Sequence, residues 1–534
     1  MRFRHNFHNF MFRSNSLSPF DRWIIGSIIG LSLLIGFVLI WGDQTIPRVR
    51  SFNWNNQVVE AKDRALLFTF SRPMDRASVE ANFQLSPALP GKFSWAGRRM
   101  AYTLDYPAPY GQQYTVSLVQ AQDYFQKRSI PDNQPFLSQF RSRDRAFVYL
   151  GVQGEEESRL ILYNLTRQEK QILTPPDLVV VDFEPYPKSD RILFSATDRG
   201  QYEQGQFDLK IYSVTTGIEY AALNSRVSDK PDAETDRNSP KAGEVKLLIE
   251  SDTYQNLKFD LSPDGKTILV QRANKEQPGV DFGLWILREQ SPLEPLKTQP
   301  GGDFLITPDS QAMVISQGQG LAVIPLDANS KSDGEPLDFL PQFGRVLSLS
   351  PNGREAAMIR FNTDYTRSLF LVTNQGQQVE LWKTKGSIFN ATFDPSNRIL
   401  YCLGSQLLPT EAYQEEPLLL AIDLTTAISS AQTPEEASNP LPDSILAPLL
   451  RIPNQREIFT SLSPDGLALL FDQLELTPDK GTDSTAPRSS DSQLIHNSRL
   501  WLLPLIPDRF QQANAPLPTP EALPMSGLRP QWLP

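Results

Sequence analysis

Phe259-Asp260-Leu261-Ser262-Pro263-Asp264-Gly265-Lys266-Thr267-Ile268-Leu269-Val270 reads as a strand, a tight turn and a second strand. Pro fixes one φ, Asp can bond its own backbone and Gly accepts a positive φ, which together reverse the chain between two β runs. Related stretches recur as Ile306-Thr307-Pro308-Asp309-Ser310, Leu349-Ser350-Pro351-Asn352-Gly353, Phe393-Asp394-Pro395-Ser396-Asn397 and Leu462-Ser463-Pro464-Asp465-Gly466, with a weaker copy at Phe183-Glu184-Pro185. Their prolines lie at 185, 263, 308, 351, 395 and 464, and the middle intervals fall in the range of one four-stranded propeller blade. The longer intervals contain Ser228–Glu244 and Ala427–Asp443, rich in Ser, Pro, Glu and Asp as surface insertions are.

A further strand follows each pair, as in Leu209–Val214, Gly283–Leu287, Ser368–Val372 and Leu418–Ile422. Residues 144–534 therefore read as a β-propeller. Pro530-Gln531-Trp532-Leu533-Pro534 resembles the first strand of a blade, while Arg145–Leu150 and Ser158–Leu165 resemble second and third strands that lack a first. Joined, they complete one blade, with Thr477–His496 as the loop in the last interval. The expectation is a seven-bladed ring, six or eight remaining open, closed where Trp532 docks beside Phe147 so that no sheet edge is exposed. These repeats resemble the TolB-type propeller, itself similar to the Trp-Asp repeat families. That resemblance implies protein–protein contacts among envelope components.

Between about Ile46 and Arg143, Ala65–Phe70, Lys92–Trp95, Met100–Leu104 and Gln113–Leu118 read as strands of a small β-sandwich. Phe70-Ser71-Arg72-Pro73-Met74-Asp75, Ser78-Val79, Phe83-Gln84-Leu85-Ser86-Pro87, Gly91-Lys92-Phe93-Ser94-Trp95 and Tyr114-Thr115-Val116 resemble the bacterial Ig-like domain of the S-layer SbsA type. The resemblance implies a spacer or adhesion module.

Residues 23–41 contain no charge and would span about 28 Å as a helix, which matches a bilayer core. Trp23 and Trp41 stand where interfacial aromatics stand. Residues 1–22 carry Arg2, Arg4, Arg13 and Arg22 against Asp21, which predicts a cytoplasmic basic tail and a body outside. The expectation is a single-pass protein of a bacterial inner or internal membrane, with its body in the periplasm. A cleaved signal peptide or a buried helix are the alternatives. The chain carries a formal charge of −10, and its body lacks the basic clusters that nucleic acid requires, so no nucleic-acid partner is expected.

Candidate chemistry is sparse. Cys402 is the single cysteine, which excludes an intrachain disulfide and a zinc site of several thiolates. His5 and His8 lie in the tail and His496 in an expected loop, so no histidine-based triad or metal centre assembles. No nucleophile elbow, phosphate loop or dinucleotide fingerprint occurs. Asp264, Asp309 and Asp465 are expected to form turns, and Asp198, Glu203 and Asp208 to sit in a solvated loop. Trp285, Trp382, Trp501 and Trp532, which could line a sugar-binding surface, are expected in the core between blades. The whole reads as a non-enzymatic, membrane-anchored binding or scaffolding protein of the cell envelope with no catalytic, cofactor or metal residues and no cofactor. The alternatives are a carboxylate-dependent hydrolase or lyase acting on envelope glycans or peptides, and a surface adhesion module.

Overall fold

Four of the turn copies are held by the same set of bonds. Ser262 N–H donates to the Thr267 carbonyl (2.8 Å), Gly265 N–H to the Ser262 carbonyl (2.7 Å), and the Asp264 carboxylate accepts from the Ser262 hydroxyl (2.6 Å) and Lys266 N–H (3.0 Å). Asp309, Asn352 and Asp465 accept in the same way after Thr307, Ser350 and Ser463. Gly265 has φ +73°, and a Cβ there would stand 3.1 Å from the ring of Pro187 in the neighbouring turn. Glycine is therefore required twice over, by backbone conformation and by close approach.

The computed structural model describes residues 19–41, 45–125, 127–218, 241–326, 338–409, 413–430, 443–452, 455, 458–477, 494–506, 509–511 and 516–534. His5 and His8, and most of the insertions at 228–244, 427–443 and 477–496, lie outside the described residues. Two expectations on chain position need correction. The first turn copy sits two residues later than its sequence suggests, because Pro185 ends the strand Leu178–Pro185 and the turn is Tyr186–Ser189. Ser189 takes the left-handed position, with φ +57°. His496 belongs to the strand Leu494–Pro504 rather than to a loop.

Five consecutive four-stranded antiparallel sheets follow one another, beginning at Leu178, Tyr254, Phe304, Arg345 and Ile388. A seven-stranded sheet completes the set, in the order Glu169–Ile172, Leu160–Asn164, Ala146–Gly151, Glu521–Trp532, Leu494–Pro504, Ala468–Thr477, Thr460–Leu462. Its middle strand, Glu521–Trp532, pairs through Ala522 and Ser526 with the strand before it and through Leu528, Gln531 and Trp532 with Ala146–Gly151, placing Trp532 opposite Phe147.

Apolar clusters join every sheet to the next. Leu193 and Ile211 meet Phe259 and Val270; Leu269 and Leu284 meet Phe304 and Met313; Val314 meets Met358 and Phe370; Leu369 and Leu371 meet Leu400 and Leu420; Tyr401 and Leu419 meet Leu469 and Phe471. Leu470 and Leu500 meet Phe147 and Tyr149, and Val148 and Leu160 return to Phe183 and Phe194. The cycle is closed, as a β-propeller requires.

Residues 49–142 form a separate sandwich. One sheet orders Val49–Phe52, Ala65–Phe70, Arg99–Leu104 and Gly91–Ala96; the other orders Val58–Val59, Phe136–Ser142, Gln113–Leu118 and Phe83–Ser86. Leu66, Phe68 and Phe70 alternate inward, against Tyr114, Val116 and Phe140 of the facing sheet. A short helix, Arg76–Asn82, whose N-terminus is capped by Asp75, interrupts what the strand pattern alone anticipates.

One end of this sandwich docks on the turn end of the ring. Tyr110 N–H donates to Asp465 (2.9 Å), and Arg398 donates to the Tyr106 hydroxyl (3.0 Å). The buried Arg143 guanidinium bonds Glu60 and the Pro534 carbonyl, with Ser189 at 3.4 Å.

The helix Pro19–Trp41 precedes the sandwich, and its described apolar side chains, among them Trp23, Ile28 and Leu33, are exposed. Among the described residues no helix is long and apolar enough to cross a membrane.

Candidate functional site

The first strand of each four-stranded sheet, and likewise the Trp532 end of Glu521–Trp532, has one paired neighbour and a free edge toward the axis of the ring. That edge would leave buried amides unpaired. The sheets answer with side-chain acceptors from the preceding sheet. Leu261 N–H donates to Glu184 (3.0 Å), Ile306 N–H to Asp260 (2.7 Å) and Trp532 N–H to the Ser461 hydroxyl (3.1 Å). Glu184, Asp260 and Ser461 hold the same place, two residues before the first turn residue, which is Tyr186, Ser262 and Ser463 respectively.

Glu184 and Asp260 are enclosed by protein yet each keeps some solvent-accessible surface, the condition of a group lining a narrow bore. Burial raises both pKa values, that of Asp260 to about 6. For Glu184 the negative charge of Asp260 adds to the effect of burial, and the two titrate as a pair. Amide donation from Ile306 and the charge of Lys258 restrain the rise at Asp260. A third carboxyl, Asp472, is fully buried and also raised to about 6 by burial, against the N–H groups of Arg529 and Phe459 (2.8 Å each).

Nearer the mouth away from the sandwich, charges alternate along consecutive first strands. Arg529 pairs with Asp182 and lies over the Phe459 ring (4.6 Å). Lys258 and Arg345 both pair with Asp303 (2.9 and 3.1 Å). Val181, Leu257 and Phe459 are exposed among them. Bulges sit at Val181 and Leu257, each six residues before its turn proline, and both side chains are exposed there. The result is a mouth with balanced charge and apolar faces, suited to recognition.

Asp260→Asn has a definite pH signature. The folded-state pKa lies above the unfolded value of 3.8, so the unfolded chain releases its proton first. This carboxyl therefore costs no stability below about pH 4, and its cost grows to a plateau above about pH 6. The amide keeps a carbonyl acceptor for Ile306 and carries no charge. The variant is expected to gain on the order of 1–2 kcal/mol over the parent at neutral pH and nothing in acid. Urea denaturation at the two pH values decides it, and a variant weaker than the parent at neutral pH refutes this account of the bore.

The other candidates fall apart as sites. Asp198 caps the helix Arg199–Glu203 through the N–H groups of Gly200 and Gln201, while Asp208 pairs with Lys275 (2.7 Å). Among the described residues no group of three His, Cys, Asp or Glu side chains is placed to hold a metal. Trp285 stacks on the Arg272 guanidinium (5.1 Å), Trp382 is buried between sheets, Trp501 stacks on Phe471 and Trp532 meets Phe147 edge-on (5.6 Å), so none forms a platform for sugars. Cys402 is fully buried, and burial pushes its thiol up to about 12, which leaves it inert.

Sequence reasoning placed Glu184 in the weaker turn copy and Asp260 in the strand before a turn, and singled out neither as a site. The signal was present in the column they occupy: Glu184, Asp260, Ser348, Thr392, Ser461 and Gln531 all offer an acceptor at that position, Leu305 being the exception.

No family model matches the chain, and no curated protein matches it. Among solved structures it is similar to TolB from Acinetobacter baumannii, with 11% identity over 64% of this chain and 77% of that one and a TM-score of 0.35. It is also similar to oligogalacturonate lyase from Vibrio parahaemolyticus, with 10% identity over 80% and 95% and a TM-score of 0.39. No residue or activity is carried over from either.

Proposed function

We propose that the chain is a membrane-anchored, extracytoplasmic binding platform of the bacterial cell envelope, not an enzyme, in which a seven-bladed propeller engages envelope proteins and an Ig-like spacer carries it. The blade count follows from giving the strand Glu521–Trp532 to two blades, one at each of its ends. Residues 23–41 serve as the anchor because they contain no charge. The arginines before them keep the N-terminus in the cytoplasm and place the body in the periplasm.

The observation that carries the reading is the distribution of exposed apolar side chains on the ring. The spacer occupies the turn end. At the other end, loops between second and third strands present Tyr202, Phe207, Val280, Phe361, Tyr365 and Tyr413, with Tyr365 92% exposed. Among the described residues the turns themselves expose no large apolar side chain. Exposed aromatics gathered from several loops at one end mark a protein-recognition surface.

Phe361→Ser with Tyr365→Ser is expected to reduce recovery of a stoichiometric partner roughly tenfold or more in pull-downs of the detergent-solubilised chain, since central aromatics dominate such contacts. Equal recovery from the variant, or capture of glycan in place of protein, refutes the platform reading. The second reading, a carboxylate-dependent hydrolase or lyase, draws on the raised pKa values of Glu184 and Asp260. Both carboxylates already accept backbone amides, which accounts for them structurally. Turnover of an envelope glycan or peptide that Glu184→Gln abolishes would favour the enzyme.

A further inference from the structure

The sandwich has two ends, and they differ. Glu60 to Arg64, Asp105 to Gly111 and Ser142 to Arg145 make the end against the propeller. The opposite end gathers residues 45–50, 71–82, 97–99 and 119–135, which hold eight basic side chains and four carboxylates. This is a net of +4 on a chain whose total is −10. The positive charge is concentrated where the chain arrives from the apolar helix.

Two further features mark this end. A groove of about 830 Å³ lies there, lined by Ile46, Arg48, Arg50, Ile130 and Phe136, and among the described residues no carboxylate lines it. Arg48 and Arg50 are exposed, and among the described residues neither has a carboxylate within ion-pair distance. Asp43, the one acid between helix and groove, lies outside the described residues. Beside the groove a loop is built to hold aromatics outward. Asp123, itself buried, accepts the N–H groups of Phe125 (3.0 Å) and Arg128 (3.2 Å), and Tyr124 N–H donates to the Pro73 carbonyl (3.0 Å). This scaffold leaves Tyr124 61% and Phe125 74% exposed, edge to face at 5.2 Å. Leu137 and Ile46 are exposed nearby.

Aromatic rings with a polar rim, ringed by cations, are the side chains that partition to the level of lipid headgroups. We infer that this end of the sandwich is a docking face for a bilayer surface bearing anionic phospholipid headgroups, with Tyr124 and Phe125 seated at the interface and Arg48 and Arg50 on the phosphates. The inference rests on the anchored reading above, which delivers this face to the membrane. From Trp41 to Thr45 is four residues, at most about 14 Å of extended chain. The sandwich then stands on the surface, and the propeller's free mouth faces away from it.

The full chain carries one cysteine, buried Cys402, so a quenchable fluorophore placed by Asn133→Cys on the exposed loop reads a single position. The labelled chain is reconstituted into phosphatidylcholine vesicles with or without about one-third phosphatidylglycerol, each carrying a headgroup-level quencher. Quenching is expected to be strong only with phosphatidylglycerol and to be unaffected by millimolar inorganic phosphate. Arg48→Gln with Arg50→Gln should weaken docking about 30-fold, at roughly fivefold per cation. Tyr124→Ser with Phe125→Ser should reduce quenching while leaving folding intact, as circular dichroism verifies.

Equal quenching in both vesicle types, or no change in either variant, overturns the inference, and release by free phosphate assigns the arginines to a soluble anion instead. Extraction of the chain by alkaline carbonate overturns the anchor alone. Salt-sensitive binding to phosphatidylglycerol at neutral pH would then still support the face.

Discussion

Trp532→Ala is expected to cost about 3–5 kcal/mol of stability, the range for removing a buried tryptophan from a core. The side chain is 5% exposed and lies between the two halves of the seven-stranded sheet, edge-on to Phe147 and in one cluster with Tyr149, Leu470 and Leu500. Its backbone N–H also donates to the Ser461 hydroxyl of the strand Thr460–Leu462. The loss would fall on ring closure. Ala146–Gly151, buried at every residue, would keep a weaker neighbour along the half of Glu521–Trp532 that covers it. The urea midpoint should drop, and amide exchange should quicken first in Ala146–Gly151. Uniform acceleration across all sheets would argue that closure is no weaker than any other junction.

Arg143→Ala is expected to cost about 3 kcal/mol, the lower part of the range for breaking a buried ion pair, because Glu60 keeps some access to water. The guanidinium bonds the sandwich through Glu60, the closing strand through the Pro534 carbonyl and the first turn through Ser189. One side chain thus ties three parts of the molecule together. Calorimetry should show the parent unfolding as one transition and the variant as two, the sandwich melting apart from the ring. Arg143→Lys, which keeps the charge without the planar fork, should restore little of the coupling. A variant that melts in one transition at the parent's temperature would show that the Tyr110–Asp465 and Tyr106–Arg398 bonds suffice to join the units.

The strand–turn–strand unit was legible because its information is local. The bonds that reverse the chain at Ser262, Pro263, Asp264 and Gly265 lie within six residues, so composition at adjacent positions determines the outcome. The same locality explains the misplaced first copy. Phe183-Glu184-Pro185 imitates Phe393-Asp394-Pro395, but Asp394 accepts the N–H groups of Ser396, Arg398 and Ile399, whereas the Glu184 side chain bonds Leu261 in another sheet. A longer side chain reached away from the turn, and the reversal moved on to Pro187. Trp532 beside Phe147 could be anticipated because each end of the region showed half of a repeat. The docking of the sandwich could not. Its bonds involve a turn aspartate, a tyrosine hydroxyl and a backbone amide, types too common for their partners to be read from sequence. The bore carboxylates were hidden for a related reason: a lone acid in a strand resembles any solvent-facing position until the neighbouring strand's free edge is known.

Arg143 and Pro534 meet although 391 positions separate them along the chain. Contacts of that reach raise contact order, and the entropy of closing so large a loop must be lost before the ring gains anything from sealing. Folding should therefore stall late, with the five four-stranded sheets in place and the Ala146–Gly151 edge still bare. In that interval an unsealed ring could recruit the closing strand of another molecule in place of its own, and slow refolding at high concentration should yield strand-exchanged dimers.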